Sequence, residues 1–130
     1  MKLENIKFKA KRLDNGEWCE GYFYEENGNT YIIENRQKES MLNRNVTHQV
    51  DSKTVCQFTG QKDCEGNEVW EGDIVEHEIW NRLYNGFIKV KGIIEYKGYE
   101  FVVATNSETY SLYSKHIKVV CNKFDKDKEK

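Results

Sequence analysis

Proline is absent from this chain of 130 residues, so its turns must be built by glycine, asparagine, aspartate and serine. Alanine occurs only at Ala10 and Ala104, and leucine is sparse. A helical bundle needs more of both, which excludes that class. No apolar run approaches the roughly 20 residues that span a bilayer. The opening MKLENIKFKA has no apolar segment of the kind that a secretory signal requires. A soluble intracellular protein that does not engage a membrane is therefore expected. A strong excess of one charge is also missing: 20 Lys and Arg face 22 Asp and Glu, a formal net charge of −2. Such a chain has no global field to neutralise a phosphate backbone, which leaves only local patches for nucleic acid. Finally, Cys19, Cys56, Cys64 and Cys121 form no CxxC pair, and His48, His77 and His116 are equally scattered. Zinc sites usually take two ligands from one tight turn, so no metal or other cofactor is expected, and the cysteines read as reduced side chains.

What is present is material for strands. Apolar residues make up 38% of the chain, and the 6 Phe, 8 Tyr and 3 Trp supply enough bulk for a core. Residues 6–10, IKFKA, alternate apolar with polar, and residues 17–24 return after an Asn15-Gly16 turn with Trp18, Tyr22 and Tyr24 on one face. Asn27-Gly28 turns the chain again into a short strand over 30–33. Residues 34–45 are polar apart from Met41 and Leu42 and have no stripe to bury, so an exposed connection is expected there. Strand signals then become dense from Val69 onward. Residues 73–79 and 87–96 flank a break at 81–86. In the second of these strands Ile88, Val90, Gly92, Ile94 and Tyr96 share a face, and Gly92 predicts a bend or bulge. Residues 99–103, 108–113 and 117–120 complete the pattern. Short strands at this spacing predict a small antiparallel barrel. The last residues, FDKDKEK, read as a disordered charged tail.

The richest stretch is 54–75, TVCQFTGQKDCEGNEVWEGDIV. Its central elements are Thr54-Val55, Gln57-Phe58-Thr59-Gly60, Asp63, Gly66 and Glu71-Gly72-Asp73-Ile74-Val75. With residues 6–10, Gly16-Glu17-Trp18 and Gly21-Tyr22 before it, and residues 116–120 and Asn122 after it, this stretch resembles the signature of the YopX-like proteins of phages and prophages. The family closes with a glycine before that asparagine, where Cys121 stands here. The resemblance implies an all-β protein whose C-terminal half is an SH3-like barrel, a phage or prophage origin, and a place in the host cytoplasm. It supplies no established activity, cofactor or catalytic residue.

The same stretch holds the candidates for chemistry. Asp63, Glu65, Glu68, Glu71 and Asp73 cluster in sequence, and paired carboxylates can serve acid–base work or hold Mg²⁺. A turn-rich acidic run is more often a solvated surface, and no phosphate cradle or distal base completes a site. Gly72-Asp73 reads as a turn in which the aspartate accepts a backbone N–H. Cys56 reads as core and Cys64 as a surface thiol. Further on, Trp70, Trp80, Tyr84 and Phe87 fall near Arg82, Lys89 and Lys91. Three readings stand for this group: core, with Trp70 and Phe87 inside and Trp80 over a barrel mouth; a protein interface; and a surface that stacks nucleic-acid bases.

The expected organisation is thus a hairpin region over residues 1–50, an SH3-like barrel over 54–121 and a tail over 122–130. The expected function is that of a non-enzymatic binding or assembly module of phage origin, without cofactor or metal. Its partner is a second copy of itself or another phage or host protein. Nucleic acid is the alternative partner. Loop 81–86 and the aromatic cluster around it are the expected contact surface, with Trp80, Arg82, Tyr84 and Phe87 as the candidate contact residues.

Overall fold

The structure is a computed structural model that describes residues 5–35, 45–106, 108–112 and 114–125. The fold is all-β and antiparallel, with short 3-10 turns the only helical elements among these residues. The chain divides into two compact units, one ending at Phe58 and the other beginning at Thr59.

The first unit contains β1 (Phe8–Lys11), β2 (Trp18–Glu26), β3 (Asn29–Asn35), β4 (Asn45–Val50) and the first residues of β5 (Cys56–Lys62). Their spatial order is β4-β3-β2-β1-β5. The alternation seen in the sequence sets the register: Ala10 lies opposite Cys19, and both are buried with Ile32 and Val50. Phe8 and Val55 pack against this cluster. Asn27 and Gly28 both take positive φ (54° and 82°), the two-residue turn whose twist matches that of the flanking strands. At one end the chain leaving β1 meets β4. Arg12 bridges Val50, the Leu13 N–H donates to the Gln49 carbonyl (3.0 Å) and the Asp51 N–H to that of Lys11 (2.9 Å). Thr54, on the 3-10 turn Ser52–Thr54, closes this end. Its hydroxyl accepts from the Lys11 N–H (2.8 Å) and donates to the Asp51 carbonyl (2.7 Å). Gly21 sits where backbone crosses backbone, since a Cβ there would lie 1.9 Å from the Ile33 carbonyl oxygen.

The second unit holds β6 (Glu68–Trp70), which pairs with β5, and a five-stranded sheet in the order β10-β9-β8-β7-β11. These are β7 (Asp73–Asn81), β8 (Gly86–Tyr96), β9 (Phe101–Ala104), β10 (Thr109–Ser111) and β11 (Ile117–Asn122). Its core is Val69, Val75, Ile94, Val103 and Ile117, with Phe101, Tyr110, Leu112 and Val119 packed around them. Each fully buried Val or Ile contributes about 1.5–3 kcal/mol relative to exposure, which makes this cluster the main source of cohesion in the unit. Ile88 and Val90 are half-buried on the same face as Ile94, as the alternation predicted.

Several expectations need correction. The sheet does not close into the expected SH3-like barrel, because β10 and β11 are its two ends. Gly92 makes no bulge in the β7–β8 ladder, which runs unshifted from Ile74↔Ile93 to Asn81↔Gly86. Gly92 is needed instead because a Cβ there would come within 2.6 Å of Val103 Cγ1. The bulge lies in β11, between Val119 and Cys121. Asn122, assigned by its sequence to the charged tail, is the buried last residue of β11. The polar connection over 34–45 begins and ends in β3 and β4, and its residues 36–44 lie outside the described residues, as do 126–130 of the tail. Among the described residues no helix is long and apolar enough to cross a membrane.

Candidate functional site

The acidic stretch is architecture rather than a solvated surface at two of its five positions. Asp63 is buried at the end of β5. Its Oδ1 accepts from the Glu65 N–H (2.9 Å) and the Asn67 N–H (2.8 Å), which closes the loop around Gly66. Its Oδ2 accepts from the Val119 N–H (2.9 Å) on β11. Burial works to raise the Asp63 pKa, but the N–H donors of Val119, Asn67 and Glu65 together hold it below the ordinary carboxylate value. The carboxylate stands in for a missing neighbouring strand. With the Cys64 N–H donating to the Ile117 carbonyl (3.1 Å), it occupies the outer edge of β11, where another chain would otherwise pair.

Asp73 is the second buried acid. It accepts from the Trp70 N–H (2.7 Å) across the Gly72 turn and from the Asn122 side-chain amide (3.0 Å). The same amide reaches the Glu71 carbonyl (3.3 Å), and the Asn122 carbonyl oxygen accepts from the Phe124 N–H (3.0 Å). The turn reading of Gly72-Asp73 therefore describes what is found. Both aspartates use their lone pairs on backbone and amide donors, and among the described residues no three or more His, Cys, Asp or Glu gather as a metal set. Cys56 is buried and Cys64 exposed, as read from the sequence, and burial pushes the Cys19 thiol up to about 11. A shallow groove of about 430 Å³ beside β8, lined by Ile74, Lys91, Ile93, Glu95 and Thr105, contains no histidine or cysteine.

The other candidate group is at the far end of the β7–β8 hairpin. Trp70 is core, but Phe87 is not: it is 61% exposed, and Trp80 opposite it is 54% exposed. The core reading of Phe87 fails because its position in β8 faces away from Ile88 and Val90, on the side of Lys89 and Lys91. Trp80 and Phe87 meet edge to face at 5.4 Å, and the His116 ring lies near-parallel to Phe87 at 6.1 Å. The turn between the strands places Leu83 and Tyr84 outward, 92% and 75% exposed, beside exposed Arg82. Asn81 fixes that turn. Its side-chain oxygen accepts from the N–H groups of Leu83 (2.8 Å) and Tyr84 (3.3 Å), while Asn85 takes a positive φ of 50°. Trp80, Arg82, Tyr84 and Phe87 are thus brought to one hairpin end. Leu83 joins them from within the expected contact loop 81–86, and His116 joins them unforeseen. An apolar residue inside a break in the strand pattern was a signal for Leu83. Nothing in local spacing signals His116, which arrives through the pairing of β11 with β7.

A family model described as YopX protein matches residues 7–125. No curated protein matches the chain in sequence.

Proposed function

The chain belongs to the YopX family, and from that premise we propose that it is a non-enzymatic accessory protein of phage or prophage origin that acts in the host cytoplasm by binding. The binding surface is the end of the β7–β8 hairpin. One observation supports this most: Trp80, Leu83, Tyr84 and Phe87 stand in water at one hairpin end, whose turn is capped by two hydrogen bonds to the Asn81 side chain. Apolar side chains so exposed add little to the stability of the unit, and a patch of this kind marks an interaction site. Aromatic anchors on a preorganised turn also lose little entropy when they are covered. The buried carboxylates, engaged with backbone donors, leave surfaces rather than a reaction centre as the means of action.

The test is affinity capture from infected host cells with the wild-type chain and with a Trp80→Ala/Leu83→Asp variant, alongside light scattering of both. Recovery of a defined partner, or a dimer or larger species, that the variant loses at unchanged melting temperature supports the reading. A monomer that captures nothing, or a partner retained equally by the variant, refutes it.

A further inference from the structure

We infer that the partner at this hairpin end is a single-stranded nucleic acid; the inference rests on the reading of that end as a binding surface. Charge segregation is the first reason. The 22 acidic residues of the chain avoid two stretches entirely, 79–94 and 109–124, which carry Arg82, Lys89, Lys91, Lys115, Lys118 and Lys123. The pairing of β8 and β11 with β7 sets these stretches on either side of one strand. Lys89, Lys115, Lys118 and His116 line one shallow groove of about 100 Å³ between the strands, together with Glu76 and Glu78 of β7. Glu78 faces Lys89 in register, Glu76 faces both Lys91 and Lys118, and Lys118 also approaches Glu65 at 3.7 Å. With Lys91 and Glu65 added to the groove, four lysines meet three carboxylates, a local charge of 4 − 3 = +1 on a chain whose net charge is −2, and exposed Arg82 stands on the adjoining turn.

Ring geometry is the second reason. Trp80, Phe87 and His116 make a continuous row across three elements, and the planes of Phe87 and His116 lie within 18° of each other. Flat faces flanked by cations suit bases stacked along a tracked backbone, and stacking is indifferent to which base is present. Lysine is depleted at protein interfaces, where arginine and aromatics dominate, so the lysines around these rings favour a phosphate partner over a protein. A single strand is favoured over a duplex, because only unpaired bases can reach rings on a sheet face.

The experiment is fluorescence anisotropy of labelled (dT)15 and (rU)15, with a hairpin duplex as comparison, titrated with the full chain at 50 and 200 mM salt. With Arg82, Lys89 and Lys115 as the phosphate contacts, the single-strand slope of about −0.7 per contact predicts an affinity loss of about twentyfold between these salt concentrations. Phe87→Ala lowers affinity by roughly tenfold, the effect of one stacked base. Arg82→Glu/Lys115→Glu, both at exposed positions, abolishes binding, while Lys53→Glu on the first unit leaves it unchanged. Flat isotherms at 50 mM salt overturn the inference, as does equal affinity for the duplex or no response to the charge reversals at unchanged melting temperature. If the oligonucleotides fail while a protein partner is captured in a Trp80- and Leu83-dependent manner, this inference falls and the binding reading stands. If oligonucleotides bind but only through other residues, both fall.

Discussion

Replacing Asp63 tests whether the acidic stretch is scaffold. Asp63→Ala removes the acceptor for three backbone donors, the N–H groups of Glu65, Asn67 and Val119, at 2.9, 2.8 and 2.9 Å. A hydrogen bond to a charged group contributes about 1.5–3 kcal/mol when its partner cannot be replaced by water. These donors are only partly buried, so some hydration is recovered, and a loss of about 3–5 kcal/mol is expected for the alanine variant. Asp63→Asn is the sharper probe. Its amide oxygen can keep the Glu65 and Asn67 donors, but its NH2 then faces the Val119 N–H, donor against donor, which gives an expected loss of about 1.5–3 kcal/mol. The assay is urea unfolding at pH 7 followed by circular dichroism, with the wild type alongside. The pH dependence follows with a definite sign. The folded-state pKa is held below the unfolded one, so the stabilisation is complete above the ordinary carboxylate range and is lost as pH falls through the folded-state value. Wild type should therefore lose stability below about pH 4, and Asp63→Asn should lose less over the same range. An Asp63→Asn variant within 0.5 kcal/mol of wild type, roughly the scatter of neutral surface changes, would refute this account.

Four further outcomes are expected. Gly21→Ala places a Cβ 1.9 Å from the Ile33 carbonyl oxygen, so β2 and β3 must part locally; a loss of about 3 kcal/mol or more in thermal unfolding is expected, while a melting temperature equal to wild type would show that the crossing relaxes freely. His77 is buried against Tyr110 with its Nδ1 lacking a hydrogen-bond partner among the described residues; burial first, then His116, lowers its pKa against the opposing pull of Glu78. The unfolded chain then binds the extra proton, so melting temperature should fall as pH drops below about 6.5, and a His77→Leu variant should show a flatter profile between pH 7.5 and 5.5. Asn122→Ala strips the amide from Asp73 and the Glu71 carbonyl and should cost about 1–3 kcal/mol in denaturant unfolding, whereas a disordered residue would cost nothing. Leu83→Asp, at a position 92% exposed, should leave the melting temperature unchanged within about 2 °C.

Much of the first unit was legible because its pattern is local. Alternation over 6–10, an Asn-Gly turn and a returning aromatic strand dictate a hairpin, and β1 and β2 pair with Ala10 opposite Cys19. The strands of the second unit were legible for the same reason, but not their closure. Whether a twisted sheet seals into a barrel depends on the pairing of its last strand with its first, and no short stretch of residues encodes that contact. The bulge expected at Gly92 was not found for a similar reason. A glycine within a strand signals crowding of some kind, but only the approach of β9 shows that Val103 occupies the space. Only the core reading of Phe87 failed: it set hydrophobicity above phase, although Ile88 and Val90 already held the inward positions of β8. Asn122 misled because a charged neighbourhood hid one polar side chain with buried partners.

The residues that carry the family resemblance share a physical trait. Thr54 locks Lys11 to Asp51, the Thr59 hydroxyl donates to the Val69 carbonyl (2.8 Å), Asp63 ties its loop to β11, and Asp73 holds Trp70 and Asn122. Gly72 donates its N–H to the Ile94 carbonyl (2.8 Å) and accepts from the Lys123 N–H (2.9 Å). Each is engaged with backbone within its own unit, where a lost bond costs folding free energy whatever the protein does. A signature made of such residues reports how the chain is built and is compatible with many partners. The hairpin end has the opposite character. Leu83, Tyr84 and Arg82 contribute little to the fold, so they can vary without harm to it and are suited to set which partner is bound. Exchanging residues 82–84 between two members of the family should therefore transfer binding preference while leaving unfolding behaviour intact; a swap that moves stability but not preference would place recognition elsewhere on the chain.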